Sequence, residues 1–168
     1  MAELTALESK LGEVLGLAMA AQDATAKVGK LVDEEGHDDL SATLQRMAEE
    51  AKETEERTTE LASELEGKKT AILEKARETK QEAVEMMSTY LGDDADALDG
   101  FEFLTMAEAG EVGHWEILKT LNERARNAQV RALCEWALPI QQRPLVPSIA
   151  HSGLIGGCGR VTDVSVDA

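Results

Sequence analysis

Apolar residues recur every three to four positions along the chain as far as Pro139, the spacing that places side chains on one face of an α-helix. The first stripe predicts a helix over residues 3–34 that stops at Gly36, a residue type that commonly ends helices. The next stripe is long enough for a helix of roughly 75 Å. We therefore predict a break near Gly67 and a separate helix over residues 68–91.

The second half of the chain predicts two more helices and a tail. A loop over residues 92–100, in which residues 93–98 can form a turn of helix, precedes a helix over residues 101–123. After a joint at residues 124–127, a last helix ends near the first prolines. From residue 144 onward, glycines increase and charged residues become rare. We expect residues 1–143 to form the helical domain and residues 144–168 to form a flexible or loosely packed tail.

Composition supports an all-α fold. The three prolines are Pro139, Pro144 and Pro147, so no proline interrupts helix formation before the last helix. Four or five amphipathic helices of these lengths favour an antiparallel bundle, whose interior can hold a site made by facing side chains.

The net charge limits the possible partners, and the cysteine content indicates the cellular compartment. The chain has 17 basic and 33 acidic residues and a net charge of -16, which disfavours binding to nucleic acid or to an anionic membrane surface. No apolar stretch reaches the roughly 20 residues of a membrane span. Two cysteines and no secretory signal indicate a reducing cytoplasm, and Cys134, among apolar neighbours, is expected to be a core thiol.

Glu111 and His114 are the most unusual residues of the predicted fourth helix. They lie three positions apart on its apolar stripe, and Glu111 also falls on the neighbouring stripe, so we expect Glu111 to face the core. A buried carboxylate needs a cation, a metal or a proton. Glu-x-x-His pairs supply ligands in carboxylate-bridged two-metal bundles. Alternatively, Glu111 reaches solvent from the edge of the core and His114 covers an apolar layer.

Other helices offer further candidate metal ligands. Glu50 and Glu53 are three positions apart on the second helix, Gln22 lies near the middle of the first, and Glu135 lies at the edge of the last. Oxygen ligands with one imidazole suit iron or manganese. The alternative for the glutamates of the second helix is a solvated acidic face.

The order of these features resembles the YciE/YciF-like branch of the ferritin-like proteins. The stretch "ETEERTTELA" lies on the second helix, and "VGHWEIL" is similar to the Val-Glu-His-Tyr-Glu-Ile of the family's third core helix. The resemblance covers residues 3–140. It implies a ferritin-like antiparallel four-helix bundle with an additional helical crossover, here residues 68–100, between core helices 2 and 3.

The resemblance also implies a di-metal site. Glu53 with Thr54, and Glu50 one turn earlier, match the family's second helix, while His114 and Glu116 match its third.

Two positions depart from the family pattern. Gln22 stands where the family has a carboxylate, and Gly113 stands where it has a glutamate. The site would then be weaker or mononuclear unless Glu111, or Glu108 one turn earlier, substitutes.

Two functions follow as expectations. The first is a ferritin-like protein that binds iron or manganese and acts in iron handling or oxidative-stress defence. The second is a structural or interaction bundle that has lost the metal and dimerises through its helix faces. A homo-oligomer, most simply a dimer, is expected in either case.

Overall fold

The computed structural model describes residues 3–143, which form five α-helices and no strand. The predicted all-α fold is therefore confirmed for this part of the chain, and the predicted tail at residues 144–168 lies outside the described residues. The helices are α1 (Ala6–Glu35), α2 (Asp38–Glu64), α3 (Lys69–Tyr90), α4 (Ala97–Ala125) and α5 (Ala128–Gln141).

Local features explain the start of α1 and the breaks that follow α1 and α2. Thr5 caps α1 and exchanges hydrogen bonds with Glu8 in a capping box. Gly36 ends α1 with a φ of 75°, and Gly67, between α2 and α3, has a φ of 72°. Glycine adopts this left-handed conformation at little cost, which is why both predicted breaks are found.

The start of α4 differs from the prediction. The helix begins at Ala97 rather than at Phe101, because Asp96 and Asp99 form a second capping box. Gly100, predicted as loop, is a buried helical residue at which a Cβ atom would lie 2.9 Å from Val28 of α1. The glycine thus lets α4 approach α1 closely.

Helix α1 is the centre of the bundle and contacts α2, α3 and α4. It is buried over much of its circumference, and α5 packs against α4 and α2. The ferritin-like arrangement of core helices and crossover stays a prediction. None of the five helices is both long and apolar enough to cross a membrane.

Two glycines bring α3 against α1. A Cβ atom at Gly16 would lie 2.4 Å from the carbonyl oxygen of Ala76, and one at Gly12 would lie 2.9 Å from that of Ile72. Such distances are well inside van der Waals contact. Helix α3 therefore lies along α1 at a separation that no larger residue would permit.

Two apolar clusters form the core. One, around Phe101, joins the C-terminal half of α1 to the first halves of α2 and α4 and to the end of α3. The other, around Trp115, joins the N-terminal half of α1 to α4 and α5. The candidate functional site lies beside the first cluster.

Candidate functional site

A cavity of about 320 Å³ lies among the helices, with residues of all five in its wall. The cavity is partly open to solvent, because Met86 and Met106 of its wall are exposed. Its volume falls at the lower end of the range for small-molecule sites.

Small and flexible apolar side chains make up most of the wall. Alanine side chains are too short to fill the space, and six of them line it: Ala20, Ala21, Ala24, Ala51, Ala83 and Ala107. Four of the six methionines of the chain also line it: Met47, Met86, Met87 and Met106. Methionine side chains adapt their shape to a neighbour, so this wall can adjust to a ligand.

Glu111 is the most deeply buried acidic residue of the cavity wall, with 8% of its surface exposed. The sequence-based expectation that Glu111 faces the core is correct. Burial, and secondly the charge of Glu108, raise the pKa of Glu111 to about 8, while an interaction with the side-chain amide of Gln141 opposes the increase. Among residues 3–143, no Lys, Arg or His nitrogen forms an ion pair with it.

Glu108 lies near Glu111 and Glu50 lies near Glu108, and both also line the cavity. Partial burial, and then the charge of Glu50, raise the pKa of Glu108 to about 7, an increase that Arg143 and Arg46 oppose. Glu50 forms an ion pair with Arg143, in which a carboxylate oxygen lies 2.5 Å from a guanidinium nitrogen. We call Glu50, Glu108 and Glu111 the acidic end of the cavity.

His114 lines the same cavity, but its ring makes its polar contacts with α1. Nδ1 lies 3.3 Å from a carboxylate oxygen of Glu13 and 3.4 Å from Nζ of Lys10. Partial burial, and secondly Lys10, lower the pKa of His114, and Glu13 acts in the opposite direction. The imidazole therefore belongs to a polar contact between α4 and α1 as well as to the cavity.

The remaining predicted ligands lie away from the cavity. Gln22 donates a hydrogen bond to Glu55 of α2 at 2.6 Å. Glu53 is half exposed and pairs at 2.7 Å with Arg57, whose guanidinium lies 4.3 Å from the ring centroid of Trp136. Glu53 thus takes part in a surface contact between α2 and α5.

Glu135 lies on a second cavity, of about 400 Å³, between α4 and α5. Exposed charged side chains make up much of this wall, among them Lys119, Glu123 and Arg131. Cys134 also borders it but is buried, and burial raises the pKa of its thiol to about 11. The thiol is thus protonated at neutral pH, as expected for a core cysteine.

The predicted ligand set is only partly brought together. Glu50, Glu111 and His114 share one cavity, whereas Gln22, Glu53 and Glu135 lie elsewhere. Within residues 3–143, no group of three or more His, Cys, Asp or Glu side chains has an arrangement that could hold a metal ion. Gly113 is exposed with open space around its Cα, so a glutamate at this position would start from the solvent side of α4.

Sequence reasoning did not find the cavity or the role of Gln141 at its acidic end. The alanines of the wall fit an ordinary helix pattern, and their spacing gives no sign that they surround an unfilled space. The four methionines at residues 47, 86, 87 and 106 are the signal that could have indicated an adaptable interior.

Comparisons with protein-family models, with curated proteins and with solved structures give no match to this chain. The ferritin-like resemblance, the dimer and the cytoplasmic location therefore stay predictions.

Proposed function

We propose that the protein binds a small, largely apolar molecule in the cavity between its helices. The observation that carries this proposal is the combination of a 320 Å³ space with a wall of alanine and methionine side chains. Small-molecule sites in proteins are typically concave and mostly apolar, with a few polar groups in the wall. Binding to a preformed space avoids the cost of opening the core.

The volume sets the size of the ligand. At about 30 Å³ per water-sized group, the cavity accommodates about ten non-hydrogen atoms. 1-Octanol is therefore a suitable probe. We expect titration calorimetry to show saturable binding of 1-octanol with a Kd below about 1 mM.

A larger side chain in the cavity should weaken the binding of 1-octanol. Ala107 lines the cavity, whereas Ala109, two residues further along the same helix, is exposed. We expect Ala107→Leu to weaken 1-octanol binding at least about tenfold, which corresponds to about 1.4 kcal/mol. Ala109→Leu, the matched control, should bind as the unaltered protein does. Equal binding by both variants, or no binding by the unaltered protein, would contradict the proposal.

Metal binding is the second candidate function. It is supported by the resemblance to ferritin-like proteins and by the presence of Glu50, Glu111 and His114 on one cavity wall. These side chains would have to rotate towards a common point to coordinate an ion. Iron or manganese suits such a donor set, and the protein would then act in iron handling or oxidative-stress defence.

Metal analysis after anaerobic reconstitution with ferrous iron or manganese tests this candidate. This candidate predicts about one ion per chain, lost in the double variant Glu111→Gln/His114→Ala and retained in Glu53→Gln, which changes an exposed glutamate outside the cavity. Absence of bound iron and manganese would exclude it. If 1-octanol also fails to bind, the results favour the structural or interaction bundle.

A further inference from the structure

The acidic end of the cavity distinguishes it from a purely apolar pocket. Glu111 and Glu108 are one helical turn apart on α4, and Glu50 approaches from α2. Glu111 is more than nine-tenths buried, faces the cavity and, among residues 3–143, has no ion-pair partner. Burial raises the pKa of this carboxyl to about 8, and a cationic ligand placed beside it would stabilise its ionised form.

Nearby cations do not meet this need. Arg143 is paired with Glu50 at 2.5 Å, and Arg46 acts on Glu108 and not on Glu111. Lys10, the cation nearest His114, is engaged by Glu13 and by the imidazole itself. The nearby cations thus lie beside Glu50 and His114. Among the described residues, none forms an ion pair with Glu111, the most buried carboxyl of the cavity.

We propose that the cavity binds a primary amine with an apolar chain of about eight carbons, its ammonium group between Glu108 and Glu111 and its chain among the alanines and methionines. An ammonium group donates three hydrogen bonds and satisfies two carboxylates together. This inference rests on the proposed function, since it specifies the polar group of the molecule that the cavity holds.

Charge complementarity selects the amine among amphiphiles of equal size. An alcohol fills the apolar part equally well but brings no charge to Glu111. A carboxylate would add a further negative charge beside the acidic end, and like charges in a partly buried site repel strongly. The expected order of affinity is therefore amine, alcohol and then carboxylate.

Calorimetric titration of the full chain with octylamine, 1-octanol and octanoate tests this order at about pH 8.5, which lies above the pKa of about 8 of Glu111 and of about 7 of Glu108. We expect octylamine to bind at least about tenfold more tightly than 1-octanol, and octanoate to bind more weakly than either. In Glu111→Gln, the preference for octylamine should fall to less than about threefold while 1-octanol binding is kept. Glu53→Gln, with its substitution outside the cavity, should retain the full preference.

The outcomes separate the two proposals. Equal affinities for octylamine and 1-octanol would overturn the inference and leave the proposed function standing, whereas no binding of any probe would remove both. Should Glu111→Gln fail to fold, Glu108→Gln provides the same comparison from the second carboxyl. An unchanged preference for octylamine in the folded variant would overturn the assignment of the ammonium position.

Discussion

Replacing Gly16 by Ala is expected to lower the free energy of unfolding by about 2–3 kcal/mol, because the added methyl group has no room between α1 and α3. Its Cβ would lie 2.4 Å from the carbonyl oxygen of Ala76 and 2.8 Å from Cβ of Thr79. The first of these neighbours is backbone, so the whole of α3 must move. Urea denaturation followed by circular dichroism measures the loss of free energy. Thermal denaturation should show a fall in Tm of about 5–10 °C.

Gly29 provides the matched control on the same helix. It lies in α1, and a Cβ at this position would meet nothing within 4 Å. Gly29→Ala should therefore raise the free energy of unfolding by about 0.5–1 kcal/mol, the ordinary gain from replacing glycine inside a helix. Changes of the same sign at both positions would show that α3 does not lie against Gly16 as described.

Local sequence signals predicted most helix ends, since the physics that sets them is local. Gly36 and Gly67 adopt the left-handed conformation that glycine tolerates, and both predicted breaks are found. The start of α4 was predicted wrongly because the capping box of Asp96 and Asp99 outweighs the loop-forming tendency of the surrounding glycines and aspartates. Recognising that box requires weighing a specific hydrogen-bond pattern against average composition.

Packing between helices was not predictable in the same way. The periodicity of α3 shows that it has an apolar face but not that this face lies against α1. The four-residue spacing of Gly12 and Gly16 marks a close helix contact only once the partner helix is known. The cavity is harder still, because it arises where alanines from four helices coincide, and each of them is unremarkable in its own helix.

Of the candidate site, the burial of Glu111 was predicted from the sequence, but the contacts of His114 were not. The burial of Glu111 follows from its position on two overlapping apolar stripes and is found. The contacts of His114 depend on the register of α4 against α1, which brings Lys10 and Glu13 to the imidazole. Such a register is set by side-chain packing along the whole contact, and a single sequence does not specify it.

Raising the pH should destabilise the protein relative to its Glu111→Gln variant. In the unfolded chain the Glu111 carboxyl loses its proton near pH 4.5, whereas in the folded protein burial raises the pKa to about 8. The folded state thus binds more protons between these values, so its stability falls as the pH rises through this window and levels off above about pH 8. The slope is at most about 1.4 kcal/mol per pH unit. We expect a total difference of about 2–4 kcal/mol by urea denaturation between about pH 5 and pH 8.5.

Glu53→Gln is the control, because Glu53 is half exposed and paired with Arg57. Its difference from the unaltered protein should stay within about 0.5 kcal/mol over the same range. Parallel stability curves for Glu111→Gln and the unaltered protein would mean that the Glu111 carboxyl has a cationic partner or reaches water. Glu111→Gln is expected to gain stability near pH 8 relative to the unaltered protein and also to lose the preference for octylamine. Both effects together would mean that the carboxyl serves ligand binding at a cost to stability. A residue that serves packing alone would show the gain in stability without the loss of amine preference.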